Sequence, residues 1–229
     1  MKTYIVLGCK PWNKVEFHRQ RSRLPGRWIY IDRPGKLTST LVKRLRPEKL
    51  FFIHWSWKVP EYIVGRQECV CFHMTDVPYG RGGSPLQNLI VRGHRATKLT
   101  ALRMTESFDA GPVYMKRPLS LAGTALEIYE RATKLSFGMI REIVRRNPAP
   151  RPQKGRAVRF RRRKPEESRI LGNLPINKLY DFIRMLDAPT YPPAYADAGN
   201  LRFEFRAARI VKNDLTATVR ARKRGRNEK

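Results

Sequence analysis

The stretch Phe72-His73-Met74-Thr75-Asp76-Val77-Pro78-Tyr79-Gly80-Arg81-Gly82-Gly83-Ser84-Pro85-Leu86-Gln87 leaves a short apolar run, crosses a glycine-rich turn and enters a helix opened by proline. In doubly wound α/β folds, ligands bind at such places, outside the carboxyl ends of the strands. Glycines at 80, 82 and 83 permit positive φ and let a ligand come close to the main chain. A plain surface turn has the same composition.

Upstream of this stretch, residues 4–8, 49–53 and 68–72 are short apolar runs closed by turn or charged residues, as buried parallel strands are. Segments 38–46, 59–65 and 85–92 read as helices between and after them. The alternation predicts a doubly wound, mainly parallel sheet. Downstream, runs 97–104 and 112–117 alternate more visibly and suit an antiparallel edge. The strongest helix is 125–146, where Thr124 and Glu127 form a capping-box pair and Tyr129, Ala132, Ser136, Met139, Ile140, Ile143 and Val144 recur at helical spacing.

Prolines then bar helix through residues 147–153, which reads as an extended linker. The boundary falls near 150. Residues 1–150 form the main domain, and 151–229 hold the linker and a small C-terminal α+β module. In that module we expect the basic run Arg159 to Lys164, a helix over 176–186, three short strands between Leu201 and Val219, and a frayed polar end from Arg220. The helix carries Tyr180, Ile183, Met185 and Leu186, which suit a contact surface or a cover for the main sheet.

A chain of 229 residues with 41% apolar content can bury a substantial core. Its 48 Lys and Arg against 19 Asp and Glu give +29, a balance that suits a polyanion. The positive residues are scattered, however, and a phosphorylated small substrate needs only a local patch. Cys9, Cys69 and Cys71 are an odd count. Cys69 and Cys71 point to one face of a strand, where disulfides rarely close, so reduced thiols and no metal are expected. The first apolar run is too short for a signal peptide and nothing later is long enough to span a bilayer, which suggests a soluble, cytoplasmic protein.

A second segment, Asp109-Ala110-Gly111-Pro112-Val113-Tyr114, sets a carboxylate in a turn ahead of a strand. Taken on their own, a histidine and a distant aspartate are more often structural than catalytic. Together, His73 to Gln87 and Asp109 to Val113 resemble the folate-dependent formyltransferase superfamily, whose loop runs His-x-x-x-x-Pro-x-x-Arg-Gly-x-x-Pro and whose second motif is Asp-x-Gly-Pro. With His54-Trp55-Ser56-Trp57-Lys58-Val59-Pro60 ahead and Arg163-Lys164-Pro165-Glu166-Glu167-Ser168 behind, the chain is similar to the short sugar N-formyltransferases of the pseudaminic-acid type, from about Lys10 to Phe205.

The resemblance implies a Rossmann-like catalytic domain in residues 1–150, N10-formyltetrahydrofolate as donor, a nucleotide-linked amino sugar as acceptor in surface-glycan synthesis, no metal, and dimers as a common assembly. It places His73 and Asp109 in catalysis. His73 would stabilise the oxyanion or shuttle a proton, and Asp109 would orient it and accept the ammonium proton. Thr75, Asp76, Pro78 and Gly111 fall on the cofactor side. Trp12, Asn13, His54, Arg81, Gly82, Gly83 and Gln87 fall on the substrate side. Cys71 stands where the superfamily has an asparagine that donates to the formyl oxygen. A thiol is a weak donor, so Thr75, a loop N–H or His54 would have to help.

Two other readings compete. The acceptor could be initiator methionyl-tRNA, favoured by the charge and by the basic linker 145–164. The roughly 70 residues after Arg159 are fewer than the β-barrel module of those enzymes requires. Alternatively, the chain could be a non-catalytic, basic nucleic-acid-binding protein on the same scaffold, which the presence of both His73 and Asp109 disfavours.

Overall fold

The computed structural model describes residues 1–225. Its elements run β1 (Thr3–Gly8), α1 (Pro11–Gln20), β2 (Arg27–Ile31), α2 (Ser39–Leu45), β3 (Lys49–Ile53), α3 (Glu61–Val64), β4 (Cys69–His73), β5 (Tyr79–Gly82), α4 (Pro85–Val91), β6 (Ala96–Arg103), β7 (Val113–Ser120), α5 (Ala125–Arg146), β8 (Val158–Phe160), α6 (Ile176–Arg184), β9 (Ala194–Ala198), β10 (Leu201–Val211) and β11 (Asp214–Lys223). The main sheet has the order β2-β1-β3-β4-β6-β7. Strands β2, β1, β3 and β4 are parallel, and β6 pairs antiparallel to β4.

The predicted mainly parallel α/β sheet is therefore present, with its antiparallel side where alternation placed it. Ile5, Val6, Leu7, Leu50, Phe51 and Ile53 are fully buried, which explains continuous apolar runs rather than alternating ones. Each such side chain contributes about 1.5–3 kcal/mol relative to exposure. The order in which successive strands are added reverses at β1, which has β2 on one side and β3 on the other. Register sets Gly8 beside Ile53 and Ile53 beside Phe72, so the ends of β1, β3 and β4 share one edge. That edge carries the loops in which ligands of such folds bind.

One strand of this sheet and one helix escaped the sequence pattern. Strand β2 reads Arg-Trp-Ile-Tyr-Ile and has only Ile31 fully buried. Helix α1 buries Asn13 and Glu16 along with Trp12 and Phe17, so its inward face is half polar and shows no apolar stripe.

Two compact units are assembled from interleaved segments. The first comprises Met1–Pro85, Thr97–Leu119 and Glu130–Phe160, and the second comprises Leu86–Ala96, Ser120–Tyr129 and the chain from Arg161 on. In the second unit, Arg184 is only 2% exposed; it donates to Asp181 Oδ1 at 2.7 Å and to the carbonyls of Leu121 and Gly123 at 2.6 and 2.8 Å. A buried guanidinium without those acceptors would be costly. The module contains a three-stranded antiparallel sheet, β11-β10-β9, instead of three short strands between 201 and 219. Its first strand precedes that window, and β10 and β11 form one long hairpin. The predicted frayed end is also corrected. Residues 220–223 continue β11, where Arg220, Arg222 and Lys223 are tolerated because the strand is largely exposed at a sheet edge, while residues 226–229 lie outside the described residues.

Helix α5 starts as its capping box predicts. The Thr124 N–H donates to Glu127 Oε2 at 2.7 Å, and the Glu127 N–H donates to Thr124 Oγ1 at 3.3 Å. Thr124→Ala should lower stability by about 1 kcal/mol, read by urea denaturation. An unchanged midpoint would mean that tertiary packing alone fixes the start of this helix.

Candidate active site

His73 is the last residue of β4 and is 8% exposed. Both of its ring nitrogens face oxygen. Nε2 lies 2.7 Å from the Gly80 carbonyl, and Nδ1 lies 3.5 Å from Asp109 Oδ1. The first distance is a hydrogen bond, while the second is an ion-pair contact too long for one. A neutral ring can donate to only one of these acceptors, and a doubly protonated ring can donate to both. The fold therefore brings together the two residues that the sequence motifs singled out.

The carboxylate accepts a main-chain hydrogen bond, and the loop that carries it is braced at two further points. Asp109 has φ 53°, a conformation few non-glycine residues adopt, and its Oδ2 accepts the Gly82 N–H at 2.9 Å. Gly82 itself has φ 102°, and a Cβ there would meet the Phe160 carbonyl oxygen at 2.6 Å. At Gly111 a Cβ would lie 1.8 Å from the Arg103 carbonyl oxygen, which explains glycine two residues after the aspartate. The third support comes from the linker. Gln153 Nε2 donates to the carbonyls of Asp109 and Gly111, each at 2.8 Å, while Gln153 Oε1 accepts from Arg81 Nε and Nη2 at 3.1 and 2.8 Å.

Arg81, which the resemblance sets on the substrate side, thus braces the loop through the Gln153 amide. Gln153 was missed by the sequence reading, because a lone glutamine among prolines carries no recognisable pattern. The linker also pairs in parallel with the glycine turn through β8 and β5, Arg81 opposite Arg159 and Gly82 opposite Phe160.

Beside Asp109 lies a recess of about 50 Å³, walled by Val59, Cys71, Leu102, Met104 and Phe108. Cys71 therefore shares a cavity with Asp109, as its position two residues before His73 suggests. Desolvation, then the Asp109 charge, push its thiol well above the usual range, so it is neutral. Burial likewise pushes Cys69 up to about 12. Phe108 is 70% exposed at the mouth of the recess.

The remaining predicted residues separate into groups. Thr75 is fully buried, its hydroxyl donates to the Gly80 carbonyl at 3.3 Å, and its own carbonyl accepts from Thr100 at 2.7 Å. That commits its proton and removes it as a replacement donor for Cys71. Burial would raise the Asp76 carboxyl, but Lys116 and Lys98, at 2.5 and 2.9 Å, outweigh burial and hold it below its ordinary value. Pro78 follows a cis peptide in the same loop, and the Gly83 N–H donates to the Phe160 carbonyl.

Trp12, Asn13 and His54 converge on one another. Trp12 Nε1 and Asn13 Nδ2 each lie 3.2 Å from His54 Nδ1. Asn13 has no exposed surface, and its amide also serves Thr133 Oγ1 and the Lys10 N–H, so it has nothing to offer a nucleotide base. Gln87 is 1% exposed within the second unit, donating to Tyr129 and to the Met185 carbonyl, which is a packing role rather than the predicted acceptor contact. Among the described residues no group of three His, Cys, Asp or Glu could hold a metal, and no helix is long and apolar enough to cross a membrane.

Comparison with known proteins gives this geometry a family. A profile of the methionyl-tRNA formyltransferase C-terminal domain matches residues 165–222. The methionyl-tRNA formyltransferase of Sinorhizobium medicae is 30% identical over 138 residues, 56% of this chain and 44% of that protein. The chain spans about half the length of the curated relatives it matches. The structure of a methionyl-tRNA formyltransferase from Clostridium thermocellum superposes with TM-score 0.95 at 40% identity, over 97% of this chain and 100% of that one. A sugar N-formyltransferase from Shewanella shares the fold, with TM-score 0.65, 15% identity, 93% of this chain and 100% of that chain. The chain belongs to the formyltransferase superfamily, whose members of this family use N10-formyltetrahydrofolate.

One site property can be read from stability. Burial, then the Lys10 charge, push the His54 imidazole down to about 3, against about 6.5 in an unfolded chain. Protonation thus favours unfolding, and stability falls as pH drops from about 6.5 towards 3. Between pH 7 and pH 5 the protein should lose about 1–2 kcal/mol through this residue. His54→Asn keeps an acceptor and tolerates the positive φ, so its denaturation midpoint should fall less over that interval. An equal fall in both proteins would remove His54 as the cause.

Proposed function

We propose that this chain transfers the formyl group of N10-formyltetrahydrofolate to the α-amine of methionine carried by initiator tRNA. The observation that carries the acceptor is the match, along nearly the whole of both chains, to a protein described as a methionyl-tRNA formyltransferase. Against the objection that a C-terminal module of this size is too small stands the Clostridium chain, which carries that description and is covered in full. The amino-sugar acceptor expected from the sequence has support from fold alone, at 15% identity.

Charge supports the same reading. Residues 145–160 carry Arg145, Arg146, Arg151, Lys154, Arg156 and Arg159, all exposed, and no acidic residue. This track runs into β8, which pairs with the strand whose Gly82 amide holds Asp109. A phosphodiester backbone drawn to it by counterion release would approach the reaction centre.

The chemistry asks for little. The amine nitrogen bonds to the formyl carbon, the bond from that carbon to N10 breaks, and the amine loses one proton while N10 gains one. The transfer is proton-neutral overall, so a single imidazole can take the proton from the attacking nitrogen and return it to the leaving one. His73 takes that role once its Nε2 exchanges the Gly80 carbonyl for the amine, and Asp109, facing Nδ1, stabilises the ring when it is charged. The recess beside Asp109, walled in part by Val59, Cys71 and Met104, is the place this reading gives to the formyl group. Cys71 supplies at most a weak hydrogen bond to the oxyanion, so His73 carries more of that load.

Incubation with N10-formyltetrahydrofolate and either methionyl-tRNA or a panel of nucleotide-linked amino sugars tests the reading. Formylmethionyl-tRNA is the expected product. His73→Ala and Asp109→Asn should each lower kcat/KM by about 10² or more without loss of folding. Formylated sugar with untouched tRNA would overturn the acceptor, and full activity in either variant would overturn the mechanism.

A further inference from the structure

We infer that the Trp57 indole is the platform on which the terminal adenine of the acceptor's 3′ end stacks, so that the aminoacyl group hanging from that nucleoside enters the recess. The inference rests on the tRNA reading above. Trp57 follows the end of β3 and is 44% exposed, so part of its ring is open to a base arriving from solvent. Its next two neighbours, Lys58 and Val59, line the recess that holds Cys71 and Asp109, yet Trp57 itself does not. The ring therefore stands one peptide outside the reaction cavity, where it can serve what arrives from outside rather than the donor within.

The platform is rigid from below. Trp57 packs edge-on to Trp55, with centroids 4.9 Å apart at 69°, and Trp55 packs in the same manner on Phe52 of β3, at 6.0 Å and 74°. Phe52 belongs to the main core. The loop begins at His54, which has φ 49°; its ring is bonded by Trp12 and Asn13, and its carbonyl accepts the Cys9 thiol proton at 2.9 Å. A ring held in this way loses little freedom when a base covers it, which is the condition under which stacking adds most to binding. The terminal nucleoside is the part of an aminoacyl-tRNA that must lie beside the cavity, because the reacting amine is joined to its ribose through the ester.

The test compares wild type, Trp57→Ala and Trp57→Phe on methionyl-tRNA carrying either adenine or an abasic site at the 3′ end. Trp57→Ala should raise KM for the natural acceptor by about tenfold or more, while kcat, KM for the folate and the melting temperature stay unchanged. Trp57→Phe should recover most of the loss. Removing the base should weaken binding to wild type by a similar factor and make no further difference to Trp57→Ala. Equal sensitivity of wild type and Trp57→Ala to loss of the base would overturn the inference, as would a raised KM for the folate alone. Wild type that formylates no tRNA would remove the reading of the function and this inference with it, whereas a tRNA-formylating enzyme indifferent to position 57 would remove the inference only.

Discussion

The hydrogen bond from the Gly82 amide to Asp109 is the constraint on which the rest of the site depends. It ties two loops from opposite sides of the motif pair, and it exists only because Gly82 takes a conformation closed to other residues and has no Cβ to meet Phe160. Asp109 for its part is held at positive φ, a cost that the surrounding bonds offset. Through that bond, a turn beside the end of β4 and a turn before β7 define one position for a carboxylate, and His73 needs only to end its strand to meet it. Gln153 and Arg81 complete the bracing. The Pro-rich segment between α5 and β8, which by composition is a linker, is therefore a wall of the site.

Much of this architecture was legible in the sequence because the physics was local. Runs such as Leu50 to Ile53 are buried on both faces, so they are apolar without interruption, and a parallel α/β sheet is the fold that produces such runs. The capping box at Thr124 reads directly because both partners lie within one helical turn. His73 and Asp109 were legible through their motifs, whose glycines report backbone constraints. The illegible parts are non-local. Helix α1 buries polar side chains that satisfy one another, which masks its period. Gln87 resembled a site residue because it follows the glycine turn, but its amide is committed to Tyr129 and Met185, distant in sequence. Asn13 misled in the same way, since its partners Thr133 and His54 lie far along the chain. Position 153 gave no signal because hydrogen bonds to two backbone carbonyls leave none in a single sequence.

Basicity becomes interpretable when it is placed. Many of the chain's cations are paired, as Lys98 and Lys116 are with Asp76 and Arg202 is with Asp197. Apart from Arg146, which meets Glu142 at 3.4 Å, the exposed cations of 145–160 form a run with no acid inside it that continues into the strand beside the glycine turn. Net charge alone suggests any polyanion, whereas a cationic track ending at a candidate formyl-transfer centre suits an acceptor with a phosphodiester backbone and a reactive amine at one end.

The central claim is that His73 and Asp109 act as one unit on one reacting centre, and the double variant addresses it most directly. Single-turnover transfer rates for His73→Ala, Asp109→Asn and the two combined should show that the combination is about as slow as the slower single change, since a unit already disabled has little left to lose. Losses that multiply would mean that the two side chains contribute independently, and the shared-site account would be wrong.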